Sequence, residues 1–63
     1  MAAIEELTYA IEEWSIDGNR LIEVLARTAS QTIGAVAFKA ARASLPTRRI
    51  RLCQRARIIL DSA

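Results

Sequence analysis

Apolar and polar residues alternate along residues 49–60. The even positions are mostly apolar and the odd positions carry four arginines; they read Ile50, Leu52, Gln54, Ala56, Ile58 and Leu60 against Arg49, Arg51, Cys53, Arg55, Arg57 and Ile59. A period of two is typical of a strand in a sheet that is covered on one side only. Because 12 residues is long for one strand, the pattern leaves open whether the segment is one strand or two strands joined by a tight turn near Gln54 and Arg55.

A helix is predicted before this segment, over about residues 29–45. Its apolar residues recur at spacings of three and four, at Ile33, Ala37, Phe38, Ala41 and Leu45. This is the pattern of an amphipathic helix. Thr28 and Gln31 have the spacing of a capping box at its start. Pro46 is expected to end it, because proline has no amide hydrogen for the helix and biases the preceding residue away from helical conformation.

The N-terminal part of the chain allows two interpretations. One is a helix, because Ile4, Leu7, Ile11 and Trp14 follow helical spacing. The other is a β-hairpin with strands over about residues 8–15 and 20–27, since strand-favouring residues flank the turn dipeptide Asp17-Gly18. We favour the hairpin, because the helical interpretation needs an uninterrupted helix from residue 20 to residue 45.

These elements predict an α+β fold in the chain order β-β-α-β, with one helix packed on one face of a three-stranded antiparallel sheet. A right-handed crossover through the helix returns the third strand beside the first, which gives the strand order 2-1-3. On the face without the helix, the arginines of the third strand are then expected to lie beside Glu12 or Glu13 of the first strand. Glu23 of the second strand lies next to them, so the opposite charges meet as cross-strand pairs.

The composition is that of one small folded domain. The chain has 63 residues, of which 52% are hydrophobic and 25% are charged. We interpret residues 1–63 as a single domain in which residues 1–7 and 61–63 are frayed. One cysteine and no histidine exclude an internal disulfide and a structural zinc site. Because a domain of this size is marginally stable alone, we expect a homodimer.

The sequence also predicts a cytoplasmic location. No apolar run approaches the roughly 20 residues of a membrane span, and Glu5 and Glu6 stand where a signal peptide would carry positive charge. The unpaired thiol of Cys53 fits a reducing compartment. No membrane segment is therefore expected.

Charge is divided unevenly along the chain. Residues 1–25 carry a net charge of −5, and residues 26–63 carry +7. Such asymmetry is typical either of a basic segment that binds nucleic acid or of two segments that neutralise each other in the folded protein.

The arginine row, formed by Arg49, Arg51, Arg55 and Arg57, is the candidate binding face. Residues on one face of a strand repeat about every 7 Å, which is similar to the phosphate repeat of a single nucleic-acid strand. The row is also suited to pairing with glutamates of the same domain or to binding an acidic protein partner. Because Trp14 is the single aromatic candidate near it for stacking on bases, we favour internal pairing.

Trp14, Leu21 and Leu25 form a candidate association patch. A two-residue loop at Asp17-Gly18 pairs Trp14 with Leu21 and places a second apolar set on the other face. That second set is Tyr9, Ile11, Ile22 and Val24. If it meets the helix, the patch lies among the charges and is suited to dimerisation. The alternative, a bulge that turns Trp14 into the core, remains open.

Catalytic chemistry is not expected. Cys53 lies on the arginine face, where positive charge favours the thiolate, but the chain has no histidine to act as its base. There is no glycine-rich phosphate loop or metal motif, and the adjacent carboxylates Glu12 and Glu13 point to opposite faces of a strand. We therefore expect no catalytic residue, no cofactor, no metal and no enzymatic activity.

Five segments spread over roughly residues 8–60 carry a resemblance. They are Tyr9-Ala10-Ile11-Glu12-Glu13-Trp14, Asp17-Gly18-Asn19, Ala37-Phe38-Lys39-Ala40-Ala41, Pro46 and Arg49-Ile50-Arg51-Leu52-Cys53-Gln54-Arg55-Ala56-Arg57-Ile58-Ile59. Together they resemble a set of short, uncharacterised bacterial proteins. The resemblance implies a common small fold and no particular activity. Those proteins often carry glycine where this chain has Arg55.

The functional hypothesis from the sequence is a protein-interaction or assembly module without enzymatic activity. It is expected to self-associate, either by pairing of an exposed sheet edge or through the patch around Trp14. The alternative is a nucleic-acid-binding protein that uses the arginine row.

Overall fold

In the computed structural model, which describes residues 7–63, one helix packs on a four-stranded antiparallel sheet. The elements are β1 (Tyr9–Trp14), β2 (Leu21–Thr28), α1 (Gln31–Ser44), β3 (Arg49–Gln54) and β4 (Arg57–Asp61). The strands lie in the order β2-β1-β3-β4, and each is antiparallel to its neighbours. The α+β class, the N-terminal hairpin and the position of the third strand beside the first are confirmed.

The predicted count of three strands is wrong, because residues 49–60 fold as two strands. Gln54 pairs with Arg57, so Arg55 and Ala56 form a two-residue turn between β3 and β4. Arg55 has a φ of 55°, and its amide donates a hydrogen bond to the carbonyl oxygen of Thr8 at 3.3 Å. The alternating pattern continues through this turn, which is why the pattern alone did not show where the first strand ends.

Arg55→Gly is expected to stabilise the domain. A side chain at positive φ costs about 1–2 kcal/mol, because its Cβ approaches the following carbonyl oxygen. Glycine adopts this conformation without that cost, although its greater freedom in the unfolded chain offsets part of the gain. We expect the free energy of unfolding in urea to rise by about 0.5 kcal/mol. Ala56→Gly, at the neighbouring turn residue without positive φ, should lower it; a decrease for Arg55→Gly as well would contradict the prediction.

The β1–β2 hairpin keeps the predicted register at its turn, where Trp14 pairs with Leu21. Its loop is longer than predicted: the Ser15 amide donates to the carbonyl oxygen of Arg20 at 2.8 Å, and residues 16–19 connect them. Farther along, two irregularities insert Ile22 and Leu25 as extra residues on β2. Because a bulge shifts the alternation of the residues that follow it, Leu25 packs against the core, while Val24 pairs with Glu12.

The core lies between α1 and one face of the sheet. Its buried side chains come from β1, α1 and β3 and are Ile11, Phe38, Ile50 and Leu52. Partly buried residues around them are Tyr9, Leu25, Ala35, Ala37, Ala41, Leu45 and Ile59. Alternate residues of β1 and β3 therefore face the helix, as the period of two predicts.

The helix is shorter than predicted and has a different cap. Ser30 is its N-cap residue, and the Ser30 hydroxyl accepts a hydrogen bond from the amide of Ile33 at 3.2 Å. Thr28, the predicted cap, instead accepts a hydrogen bond from the Ser30 amide at 3.1 Å. Leu45 ends the helix directly before Pro46, as expected. Ile33 was predicted on the buried side, but it is 62% exposed.

Residues 61–63, expected to fray, are held by hydrogen bonds that join Asp61 and Ser62 to β3 and the Ala63 amide to the Asp61 carboxylate. The Ser62 amide donates to the carbonyl oxygen of Ile50, and the Ile50 amide donates to the Ser62 hydroxyl, both at 2.9 Å. These bonds hold Asp61 at the end of β4 in a defined position. Of the other segment predicted to fray, residues 1–6 lie outside the described part of the chain.

Candidate functional site

Asp61 is the centre of a cluster of charged side chains at one end of the sheet. Arg49 contacts both of its carboxylate oxygens, through Nε at 3.2 Å and Nη2 at 3.0 Å, and Arg51 Nε donates to the second oxygen at 3.1 Å. The side chains of Arg49, Arg51 and Asp61 are 21%, 10% and 24% exposed. Such charge-assisted bonds, partly removed from water, are stronger than exposed ion pairs.

These contacts shift the ionisation of Asp61. The hydrogen bond from Arg49 is the main cause that lowers the pKa of the Asp61 carboxyl well below its usual range, and bonds from the Ala63 amide and Arg51 act in the same direction against the effect of burial. In turn, the hydrogen bond to Asp61 raises the pKa of Arg49. Asp61 and Arg49 are therefore both charged at neutral pH, and their attraction holds the two side chains together.

The same two arginines hold the β1–β2 loop. Arg49 Nη1 donates to the carbonyl oxygen of Ile16 at 3.0 Å, and Arg51 Nη1 donates to that of Gly18 at 3.2 Å. Gly18 has a φ of 77°, and a Cβ atom there would lie 2.7 Å from Arg51 Nη2 and 2.9 Å from Arg49 Nη1. The loop, β3 and the end of β4 are thereby joined through two guanidinium groups.

Trp14 completes the cluster. Its indole Nε1 donates to Glu12 Oε1 at 2.9 Å, and Arg51 Cζ lies 4.7 Å from the centroid of its ring. A guanidinium over an aromatic face at this distance is a cation–π contact. Trp14 is thus on the sheet face that α1 leaves open, and the alternative in which a bulge turns it into the core is wrong. Arg49, Arg51, Asp61, Glu12 and Trp14 are called the arginine cluster below.

The structure does not bring the four arginines of the predicted row together. Arg49 and Arg51 are side by side in the arginine cluster, but Arg55 lies in the β3–β4 turn. Arg57 pairs with Gln54, and paired residues share a face of the sheet. Since Gln54 also pairs with Tyr9 on the helix side, Arg57 is on the opposite face from Arg51.

The acid that neutralises the arginines was missed in the sequence. Glu12 is opposite Arg51 in register, as expected, but Glu13 forms an ion pair with Arg48 at 2.7 Å. Asp61, the main partner of Arg49 and Arg51, had been assigned to a frayed end. The available signal was that Asp61 is the single acidic residue after Glu23, which makes it the acid nearest in sequence to the arginines of β3.

The predicted association patch is also only partly formed. Trp14 and Leu21 are neighbours across β1 and β2, and Leu21 is 44% exposed. Leu25 packs against the core from the helix side. The extra residues on β2 separate it from the other two, and this could not be seen in a regular register.

Cys53 does not have the environment of a reactive thiol. It is buried on the open side of β3. Burial, followed by a hydrogen bond with Glu12 and its charge, raises the pKa of the thiol to about 11, which outweighs the opposite effect of Arg51. Arg51 does favour the thiolate, as predicted, but desolvation is the larger effect, so the thiol form is favoured overall.

Residues 7–63 contain neither a metal-site arrangement nor a membrane-spanning helix. In that range, no cluster of three or more Cys, Asp or Glu side chains is arranged to hold a metal ion. None of the helical segments in it has the length and apolar character to cross a membrane. Comparison of the chain with protein-family models, with curated proteins and with solved structures gave no significant match.

Proposed function

We propose that the chain is a non-enzymatic protein-interaction module that associates with a second copy of itself. The observation that carries the proposal is on α1: Ile33 and Val36 are 62% and 65% exposed, although the opposite face of the helix already packs Phe38 into the core. Single exposed apolar residues are ordinary. A short helix that is apolar on both faces is typical of a helix covered on both sides.

The sheet supports self-association less than the helix does. Both edge strands, β2 and β4, contain bulges, and bulges are a common protection of sheet edges against pairing with another chain. On the open face, Arg51 lies over Trp14 and Leu25 is turned away. The outer face of α1 is therefore favoured over the edge and over the patch around Trp14.

The alternative, nucleic-acid binding through Arg49, Arg51, Arg55 and Arg57, has less support. Phosphate contacts from Arg49 or Arg51 would compete with Asp61 and with the loop carbonyl groups that both arginines hold. The formal charges of Arg49, Arg51, Asp61 and Glu12 cancel. Little unbalanced positive charge is left in the arginine cluster to attract phosphates.

A concentration series tests the proposal. We expect the mass-average molecular weight from sedimentation equilibrium to rise from that of one chain toward that of two chains between about 20 µM and about 1 mM, because a small apolar interface gives weak association. A constant single-chain mass over this range would refute self-association. Cytoplasmic residence is part of the same proposal, supported by the free thiol of Cys53.

A further inference from the structure

We infer that two copies of the chain associate through the outer face of α1, with the two helices antiparallel. The inference rests on the proposed self-association and specifies its interface. The outer stripe of the helix consists of Ile33, Val36, Ala40 and Ala43, and all four residues are exposed. Their spacing of three, four and three residues is that of a helix-pairing seam, and none of them is charged.

The size of the side chains in the outer stripe favours a second copy in the antiparallel direction. Ile33 and Ala43 are both five residues from position 38, and Val36 and Ala40 are both two residues from it. A two-fold axis at this position sets each large residue against a small one, Ile33 against Ala43 and Val36 against Ala40 of the second copy. The distance between the axes of the two helices is then the same along the whole contact.

The parallel arrangement does not have this match. It sets Ile33 against Ile33 and Ala43 against Ala43, so the helices would separate at one end. The antiparallel arrangement also aligns the helix dipoles favourably. Self-complementarity of the stripe therefore favours an identical chain over a partner of unrelated shape.

The expected contact area decides the strength of the association. A helix of 14 residues is about 21 Å long and about 10 Å wide, so the strip of contact covers on the order of 200 Å² of each helix. A standard stable interface buries roughly 800 Å² per partner. The inferred dimer is consequently weak and reversible.

Lys39 gives the inferred dimer an electrostatic signature. It is exposed, lies one residue from the two-fold position and flanks the stripe between Val36 and Ala43. The two-fold axis brings it close to the Lys39 of the second copy, and two like charges at this distance oppose association. We therefore expect the dimer to strengthen as salt rises from about 0.05 M to about 0.5 M, because screening reduces the repulsion.

The first test places a charge in the stripe. Ala40→Glu keeps a good helix former at an exposed position, so the fold is retained, but two copies must then bury two carboxylates. We expect the dissociation constant to rise at least about tenfold by sedimentation equilibrium. Ala56→Glu is the matched control, since it makes the same change at an exposed residue of the β3–β4 turn, and it should dimerise like the parent chain. Circular dichroism of both variants verifies their folding.

The second test is a charge exchange. Lys39→Glu alone keeps like charges at the axis and should associate as weakly as the parent chain. In an equimolar mixture of the parent chain and Lys39→Glu, the mixed dimer places opposite charges at the axis. It should form about threefold more tightly than either chain forms its own dimer, and high salt should remove the difference.

The outcomes separate the two proposals. A single-chain mass at about 1 mM would refute both self-association and this interface. Dimerisation that Ala40→Glu does not weaken would refute the interface and leave self-association standing. Weaker association of the parent chain at higher salt would also refute this arrangement. It would indicate attraction between opposite charges at the contact, as with an acidic partner surface, in place of the repulsion between two Lys39 side chains.

Discussion

Asp61→Asn should lower the free energy of unfolding at pH 7 by about 2 kcal/mol. The replacement leaves the guanidinium groups of Arg49 and Arg51, which are 21% and 10% exposed, without their counter-charge. Losing the partner of a largely buried charge costs more stability than losing an exposed ion pair, because water does not fully replace the lost partner. Urea unfolding measures the effect. Glu23→Gln removes the same charge from an exposed position on β2 and should change stability by less than about 0.5 kcal/mol.

The pH dependence provides an independent check of the same contact. Because the pKa of Asp61 is lowered in the folded state, its contribution to stability is fully present above the ordinary aspartate pKa of about 4. It is lost as pH falls from there through the lower folded-state pKa. The stability difference between the parent chain and Asp61→Asn should therefore shrink from about pH 4 downward. A difference that stays constant down to about pH 2 would contradict the role assigned to Asp61.

Gly18→Ala is the second large effect that we expect. The new Cβ would approach Arg51 Nη2 to 2.7 Å and Arg49 Nη1 to 2.9 Å, at a residue whose φ is 77°. Positive φ alone costs an alanine about 1–2 kcal/mol. Moving guanidinium groups that are bonded to Asp61 adds to this, so we expect a total loss of about 2–3 kcal/mol in urea unfolding.

A double-mutant cycle separates the two causes of that loss. If the Cβ acts partly by displacing the arginines from Asp61, then Gly18→Ala should cost about 1 kcal/mol less in the Asp61→Asn background than in the parent chain. Additive losses would show that backbone conformation alone explains the effect of the substitution. The cycle thereby tests whether the loop and the end of β4 are coupled through Arg49 and Arg51.

The arginine cluster changes the interpretation of the charged segment of the sequence. Four arginines at alternate positions had the spacing of a phosphate-binding row, yet Arg49 and Arg51 join β3 to β4 and to the β1–β2 loop. The positive charges of Arg49 and Arg51 are neutralised within the domain by Asp61. The outer face of α1, where Ile33 and Val36 are exposed, is the surface that we propose for a partner, although the sequence pattern predicts Ile33 on the buried side of the helix.

The fold was largely predictable because its signals are local. Alternation in residues 49–60, the helical spacing before Pro46 and the turn dipeptide Asp17-Gly18 each act over a few residues, and each predicted the correct type of element. The pairing of Trp14 with Leu21 followed from the same turn. The candidate site was less predictable, because the partners of Arg49 and Arg51 depend on which strand lies beside β3.

The spacing of apolar residues, together with the turn dipeptide Asp17-Gly18, favours the observed class of fold, the hairpin, the helix and the placement of the third strand beside the first. Three features become visible in the folded structure alone: residues 49–60 turn at Arg55, bulges direct Leu25 into the core, and Asp61 neutralises Arg49 and Arg51. The physical reason is the range of the interactions. Periodicity reflects how each residue alternates or rotates along its own element, whereas bulges and ion pairs depend on contacts between segments that are distant in the chain.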